Sequence, residues 1–267
     1  MGRLRVEGSK EIYFEDYAGK ARPVVLVHGW GMSCRAFDYN LAAIRGAGHR
    51  VLAIDHRGCG HSDKDFEDVS IAAIASDVAQ LVREQGAEDA VIVGWSLGAA
   101  VSVEATEQLD GATAGLVLIG TPSPRYLQAE GWEFGGTPEA MAETKEALRT
   151  NRAPFLHDLT LGVFKEDPGP AMVEWMWSIF METSPNADTS LIALGDLDHR
   201  ERLPQLEIPA LLCVGAADVV VDPRTSHAAG ELLPNAKVVE FAESGHAPFI
   251  EEQGKFESEL LGFLAGL

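Results

Sequence analysis

The sequence predicts an α/β fold in which helices flank a mostly parallel β-sheet and a helical cap is inserted into the core. From residue 23 to residue 120, continuous apolar segments that are typical of buried strands alternate with segments whose apolar residues recur at helical spacing. This alternation stops at Thr121 and resumes at Ile208. We therefore expect a first part of the core at 1–122, the cap at 123–204 and a second part of the core at 205–267.

The first part of the core begins with segments of alternating polarity that predict an antiparallel hairpin. Its strands are expected at 3–8 and 10–17, and further buried strands at 23–28, 50–55, 90–93 and 115–120. Helical spacing of apolar residues predicts helices at 34–45, at 71–82 and directly after Gly98. Gly86 is expected to end the second of these helices, because glycine readily adopts the left-handed conformation that follows a helix.

The cap segment contains no predicted strand and reads as several short helices separated by prolines. Its apolar residues are bulky, and most of them are expected to join the cap to the core, while the remainder line a substrate cavity. The candidate pocket residues, taken from cap and core together, are Trp95, Trp132, Phe155, Trp175 and Phe249. After the cap, strands are expected at 208–215 and 237–241, with helices starting at Pro223 and near Phe256.

Charge is the unusual feature of the composition. The 267 residues include 21 Lys and Arg against 41 Asp and Glu, a formal net charge of −20. Such a surface repels nucleic acids and anionic membranes, so neither is expected as a partner, and no obligate protein partner is inferred. The 3 cysteines have no framework spacing, and the N-terminal residues lack the apolar segment of a signal peptide. We therefore expect a soluble cytoplasmic protein.

The central motif is the pentapeptide Gly94-Trp95-Ser96-Leu97-Gly98, which follows a predicted buried strand and begins a helix. Glycines at both ends would allow the strand and the helix to approach too closely for larger side chains. A serine at the tip of such a turn is the arrangement of a nucleophile elbow. Ser96 is therefore the candidate catalytic nucleophile.

Two further residues complete a candidate triad. Asp218 follows the first strand after the cap, and His246 lies just past the last strand. The carboxyl ends of parallel strands meet at one edge of a sheet, where catalytic groups gather. His246 would accept the proton of Ser96, and Asp218 would orient the imidazole. Asp222 is the alternative acid, but its position before Pro223 is typical of a helix N-cap.

Backbone N–H groups are the expected oxyanion donors. They would come from Leu97, which directly follows the nucleophile, and from Trp30, in the turn after the first buried strand. This chemistry needs no cofactor and no metal. His56, Cys59 and His61 could suggest a metal site, but their glycine-rich surroundings favour a purely structural loop.

Five motifs together carry a family resemblance: HGWG at 28–31, D-x-R-G-x-G-x-S at 55–62, the pentapeptide at 94–98, G-x-x-D at 215–218 and GHAPF at 245–249. Over all of the chain except the cap, the sequence resembles the α/β-hydrolase fold superfamily. HGWG, GWSLG and HAPFI are similar to carboxylesterases that hydrolyse pimeloyl-carrier-protein methyl ester. The motif at 55–62 looks more like the cofactor-free haloperoxidase and general esterase branch.

The resemblance implies a cofactor-independent serine hydrolase that cleaves a small carboxylic ester through an acyl-enzyme on Ser96. A lactonase or a perhydrolase would use the same triad, and a small-molecule receptor with little turnover is a third possibility. Serine at the elbow argues against haloalkane dehalogenase and epoxide hydrolase chemistry, which needs a carboxylate nucleophile. The expected partner is therefore a small-molecule ester or lactone.

Overall fold

The computed structural model describes residues 1–267 and contains one eight-stranded sheet. Its strands are β1 (Gly2–Glu7), β2 (Lys10–Tyr17), β3 (Ala21–Val27), β4 (His49–Ile54), β5 (Ala90–Trp95), β6 (Thr113–Ile119), β7 (Ala210–Gly215) and β8 (Ala236–Phe241). Their order across the sheet is β1-β2-β4-β3-β5-β6-β7-β8. Strands β3 to β8 pair in parallel, whereas β1 and β2 pair antiparallel to each other and β2 pairs antiparallel to β4.

Helices cover both faces of the sheet and form the insertion between β6 and β7. Those of the core are α1 (Asp38–Gly46), α2 (Ile71–Glu84), α3 (Leu97–Gln108), α8 (Pro223–Leu232), α9 (Pro248–Glu251) and α10 (Gln253–Ala265). Those of the insertion are α4 (Pro138–Thr150), α5 (Arg152–Gly162), α6 (Pro170–Met181) and α7 (Asp188–Ala193). The predicted fold class, a mostly parallel sheet with a helical insertion, is confirmed.

The apolar segments of the central strands explain why the sheet is covered on both faces. Every residue of β5 and of β7 is buried, as is all of β6 except Ala114. By contrast, β8 lies at the edge of the sheet, and only Phe241 within it is fully buried. This strand carries Lys237 and Glu240 on its accessible positions, as is common where a sheet edge meets solvent.

Helix boundaries differ from the predicted ones at two places. The segment predicted as one helix at 34–45 starts as a 3-10 turn at Cys34–Phe37, and the α-helix begins at Asp38. The terminal helix lies where it was predicted, around Phe256, but a short helix at Pro248–Glu251 that was not predicted precedes it. Glu252, with φ −114° and ψ 48°, separates the two helices. Its carboxylate accepts hydrogen bonds from the loop after β8, and those contacts hold Glu252 outside the helical path.

None of the helices combines the length and the apolar composition that crossing a lipid bilayer would require.

A buried ion pair fastens the loop after β4 to helix α2. The Arg57 Nε and Nη2 atoms lie 2.6 and 2.7 Å from the two carboxylate oxygens of Asp77. The side chains are only 7% and 2% exposed. Burial raises the pKa of Asp77, and the Arg57 guanidinium opposes that rise by favouring the carboxylate. Arg57 also donates to the Glu7 carboxylate and the Asp68 carbonyl, so one guanidinium joins three segments.

Removing the acid of this pair is expected to leave a buried, incompletely paired guanidinium. We predict that Asp77→Ala lowers the free energy of unfolding by about 3 to 5 kcal/mol. The measurement is urea denaturation followed by circular dichroism. Glu146→Ala, which breaks an exposed pair with Arg149, is the control and should cost less than about 1 kcal/mol. Equal losses in the two variants would contradict the structural importance of the buried pair.

Candidate active site

Ser96 occupies the sharp turn between β5 and α3 in a strained backbone conformation. Its φ is 55° and its ψ is −124°, an unusual combination for a residue with a side chain. The neighbouring glycines have no room for a Cβ atom. One at Gly94 would lie 2.3 Å from the Gly98 carbonyl oxygen, and one at Gly98 would lie 2.3 Å from the Val27 carbonyl oxygen. The close approach of strand, helix and β3 therefore requires both glycines.

His246 and Asp218 form a direct hydrogen-bonded pair at the carboxyl edge of the sheet. The Nδ1 atom of His246 lies 2.7 Å from Asp218 Oδ2, and both side chains are almost fully buried. The second oxygen of Asp218 accepts the backbone N–H groups of Val220 and Val221 at 2.8 and 2.9 Å. All of these bonds orient the carboxylate toward the imidazole. Asp222, by contrast, caps helix α8 through the N–H of Arg224.

Ser96 and His246 line the same cavity beneath the cap. Because Nδ1 of His246 is engaged by Asp218, its Nε2 atom is the ring nitrogen left to interact with Ser96. Nε2 is buried and has no hydrogen-bond partner in the structure. Ser96 itself is half-buried, although its neighbours Trp95 and Leu97 are fully buried. The Ser96 hydroxyl and an unengaged imidazole nitrogen therefore face the same cavity.

The expected oxyanion donors lie on two sides of the elbow. Leu97 is the first residue of α3, so its N–H has no partner within the helix. The N–H of Trp30 donates to no backbone carbonyl and to no side chain. A Cβ atom at the neighbouring Gly29 would lie 3.2 Å from the Cβ of Ser96, which shows how closely this turn approaches the elbow.

The turn that carries Trp30 is held by both cap and core. Thr183 Oγ1 donates to the Gly31 carbonyl at 2.7 Å from the cap side. On the core side, the buried His28 ring stacks on His56 with centroids 3.7 Å apart. The His28 Nε2 atom accepts the backbone N–H of His56, which requires an uncharged ring. Burial lowers the pKa of His28 to about 4, in keeping with that role.

The cavity has a volume of about 300 Å³ and an apolar lining. Its polar side chains, apart from Ser96 and His246, are those of Tyr126 and Thr144. No Asp, Glu, Lys or Arg lines it. Its apolar side chains come from the turn that carries Trp30, the elbow, the cap and the loop after β7. They are Trp30, Trp95, Phe155, Leu159, Val163, Phe180, Leu191, Leu194, Val219, Val220 and Val221.

Of the five candidate pocket residues, Trp95 and Phe155 line this cavity. The other three do not line it. Trp132 packs edge-on against Phe134, and Trp175 packs against Tyr39 at a separate surface depression. Phe249 is fully buried beneath Trp95, with ring centroids 5.0 Å apart.

A second serine–histidine pair lies outside the cavity. Ser123 Oγ is 3.0 Å from His199 Nδ1, and His199 Nε2 is 3.2 Å from Glu104 Oε1. In residue types this trio matches a Ser–His–acid triad. Ser123 is completely buried, its backbone is not at a strained elbow, and it lines none of the larger pockets. The trio instead joins the end of the cap to α3 and to the segment after β6.

The loop at 55–62 is shaped by the Asp55 carboxylate. Its oxygens accept the N–H groups of Cys34 at 2.7 Å and His61 at 2.8 Å. A Cβ atom at Gly60 would lie 2.2 Å from the same carboxylate. The rings of His56 and His61 face different partners, His28 and Tyr13 respectively. The motif therefore forms a loop that supports the turn that carries Trp30.

Sequence reasoning missed most of the cavity lining and one acidic residue. Val219, Val220 and Val221 directly follow Asp218, so their position on the acid-bearing loop was the signal that could have found them. Glu251 contacts the histidine loop through its carboxylate. The only signal in the sequence that could have found it was its position five residues after His246.

A sharp strand–turn–helix elbow with a serine at its tip, on a mostly parallel sheet with a helical insertion, is typical of hydrolases of the α/β class. The chain belongs to the alpha/beta hydrolase fold family, whose model matches residues 22–253.

The relatives include esterases and non-heme peroxidases. The chain is 27% identical to a bifunctional esterase/perhydrolase of Acinetobacter calcoaceticus, with 99% of both chains covered. It is 30% identical to a non-heme chloroperoxidase of Kitasatospora aureofaciens, covering 95% of this chain and 96% of the relative. It is 28% identical to a pimeloyl-[acyl-carrier protein] methyl ester esterase of Aliivibrio fischeri, covering 92% and 95%.

Among solved structures, an esterase from Exiguobacterium antarcticum superposes with a TM-score of 0.95 at 25% identity. The match covers 99% of this chain and 100% of that one. The predicted resemblance to esterases and cofactor-free haloperoxidases is thereby confirmed.

Proposed function

We propose that the protein is a cofactor-independent serine hydrolase that cleaves a small, uncharged carboxylic ester. The observation that carries the proposal is the strained Ser96 elbow facing the same cavity as the Asp218–His246 pair. The relatives that are named esterases support the reaction class. A lactone is an internal ester, so lactones belong to the same proposed substrate class.

The proposed reaction proceeds in two halves. His246 Nε2 takes the proton of Ser96 as Oγ attacks the ester carbonyl, and the N–H groups of Trp30 and Leu97 stabilise the resulting oxyanion. The tetrahedral intermediate collapses, the C–O bond to the alcohol breaks, and His246 returns the proton to the leaving alcohol. A water molecule, deprotonated by His246, then attacks the acyl-enzyme and releases the acid and Ser96. Asp218 stabilises the imidazolium throughout.

The identity of the nucleophile distinguishes this proposal, which assigns Ser96, from one that assigns Ser123 of the buried Ser123–His199 pair. We predict that Ser96→Ala lowers kcat for p-nitrophenyl butyrate by about 10⁴- to 10⁶-fold, because the acyl-enzyme cannot form. The measurement is release of p-nitrophenolate by the purified variants at pH 7 to 8.

Ser123→Ala is the matched control, because it removes the serine of the other Ser–His pair. It should keep kcat within about threefold of the unmodified protein, since that hydroxyl lies outside the cavity. Activity that survived Ser96→Ala but disappeared in Ser123→Ala would overturn the assignment.

The lining of the cavity supports an uncharged substrate. It offers apolar side chains and two neutral hydroxyl groups beyond the triad, with no cation to receive a carboxylate. Moving an ionised carboxylate from water into such surroundings costs several kcal/mol. The net charge of −20 adds long-range repulsion of anionic substrates and of acidic carrier proteins.

A matched pair of esters tests this selectivity. We predict that kcat/KM for phenyl hexanoate exceeds that for monophenyl adipate by at least about 100-fold, because the two differ by a terminal carboxylate that the cavity cannot pair. Phenol release is measured for both esters and corrected for the rate without enzyme. Similar values for the two esters would contradict the proposed substrate class.

Perhydrolysis is a second candidate function, supported by the relative that is named a bifunctional esterase/perhydrolase. In that reaction hydrogen peroxide replaces water as the second nucleophile, so the acyl-enzyme yields a peracid and free Ser96.

Bromination of monochlorodimedone in acetate, bromide and peroxide measures the peracid. We predict a signal that Ser96→Ala lowers to the background rate, because acetyl transfer through Ser96 precedes peracid release. Bromination that was equal in the two proteins would eliminate this second function.

A further inference from the structure

The loop that carries His246 is attached directly to the cap. The backbone N–H of His246 donates to the carbonyl of Val163 at 2.7 Å. Val163 directly follows α5, and its side chain lines the cavity. The backbone of His246 is therefore hydrogen-bonded to a cap residue that lines the cavity.

Gly245 allows this close approach. A Cβ atom at that position would lie 2.8 Å from the Val163 carbonyl oxygen and 2.9 Å from the Lys165 nitrogen. Both neighbours are backbone atoms, so neither can move aside as the end of a flexible side chain would. The loop and the cap segment at 163–165 are in main-chain contact.

The Glu251 carboxylate bridges these two main chains. Its Oε1 accepts the N–H of Lys165 at 2.6 Å, and its Oε2 accepts the N–H of Gly245 at 2.8 Å. Each oxygen thus holds a different segment, one in the cap and one in the loop before His246. Burial raises the pKa of Glu251, while the N–H groups of Lys165 and Gly245 favour its ionised form.

We propose that Glu251 is a positioning residue that holds His246 in its reactive place by joining the histidine loop to the cap. The inference rests on the proposed function, since it takes His246 as the base. Glu251 lines no part of the cavity and acts only through the loop. Its two-sided contact requires two acceptor oxygens, which only a carboxylate provides.

Glu251→Gln removes one acceptor at constant size. The amide nitrogen then faces a backbone N–H, so either the cap contact or the loop contact is lost. We predict that kcat for p-nitrophenyl butyrate falls on the order of 10- to 100-fold, because small displacements of a catalytic group cost rate steeply. KM should change by less than about threefold, since the cavity lining is intact.

Glu252→Gln is the matched control. Glu252 supports the same loop, but its Oε2 alone accepts both the Glu243 N–H at 3.0 Å and the Ser244 hydroxyl at 2.8 Å. A glutamine carbonyl can accept both, and Glu252 makes no contact with the cap. Its kcat should stay within about threefold of the unmodified protein.

A spectroscopic readout separates positioning from general damage. The Nδ1 proton of His246 lies in a short hydrogen bond to Asp218, so we expect it to give a downfield proton resonance. Glu251→Gln should shift or broaden that resonance, Glu252→Gln should leave it unchanged, and circular dichroism should show both variants folded. Gly245→Ala, which forces the loop from the cap at the same contact, should reproduce the loss of kcat.

The proposal is overturned if Glu251→Gln keeps the unmodified kcat and resonance, or if Glu252→Gln lowers kcat as much. It is also overturned if Gly245→Ala has full activity. Ser96→Ala distinguishes the two levels of inference. If Ser96→Ala is inactive while Glu251→Gln is fully active, only the positioning role fails. If Ser96→Ala is active, the proposed function itself fails.

Discussion

The backbone of Ser96 is the constraint around which the other parts of the site are placed. Its positive φ lifts the side chain out of the line of β5 and toward the cavity. This conformation exists only because Gly94 and Gly98 let α3 pass against the strand and against β3. Each remaining group then lies at the carboxyl end of another parallel strand of the sheet. The turn with Trp30 follows β3, and the loops with Asp218 and His246 follow β7 and β8.

Residue types alone do not locate such a site. The trio of Ser123, His199 and Glu104 contains the same chemical groups, and its histidine is hydrogen-bonded to both the serine and the acid. What it lacks is access and the elbow geometry, since the serine is completely buried and, unlike Ser96, does not have a positive φ. The Ser123 hydroxyl is out of reach of a substrate, and its hydrogen bond to His199 joins the core to the cap.

The fold and the candidate triad residues could be read from the sequence because their signals are local. An apolar strand followed by a turn of small residues specifies the elbow within a few positions, and strand ends place Asp218 and His246 nearby. Elements of the sheet were predictable for the same reason. The short helix α9 was not predicted, and its separation from α10 at Glu252 depends on contacts with a loop that precedes it in the chain.

The cavity could not be predicted because it depends on which face each cap helix turns inward. Trp175 and Phe180 both belong to α6, yet Phe180 lines the cavity and Trp175 packs on Tyr39. Both side chains are bulky and apolar, so the sequence does not show which of them lines the cavity. Phe249 was a reasonable candidate beside His246, but the start of α9 turns it into the core beneath Trp95.

The hydrogen bonds from Thr183 to Gly31 and from His246 to Val163 have a consequence for how this architecture can diversify. A cap that met the core only through side chains could be replaced as a module. Here two cap segments are hydrogen-bonded to the main chain of the core, one to the turn that carries Trp30 and one to the loop that carries His246. A grafted cap from another member of the family would have to supply a donor and a carbonyl at those same points. Changes in specificity are therefore most compatible with substitutions on the cavity face of the resident helices.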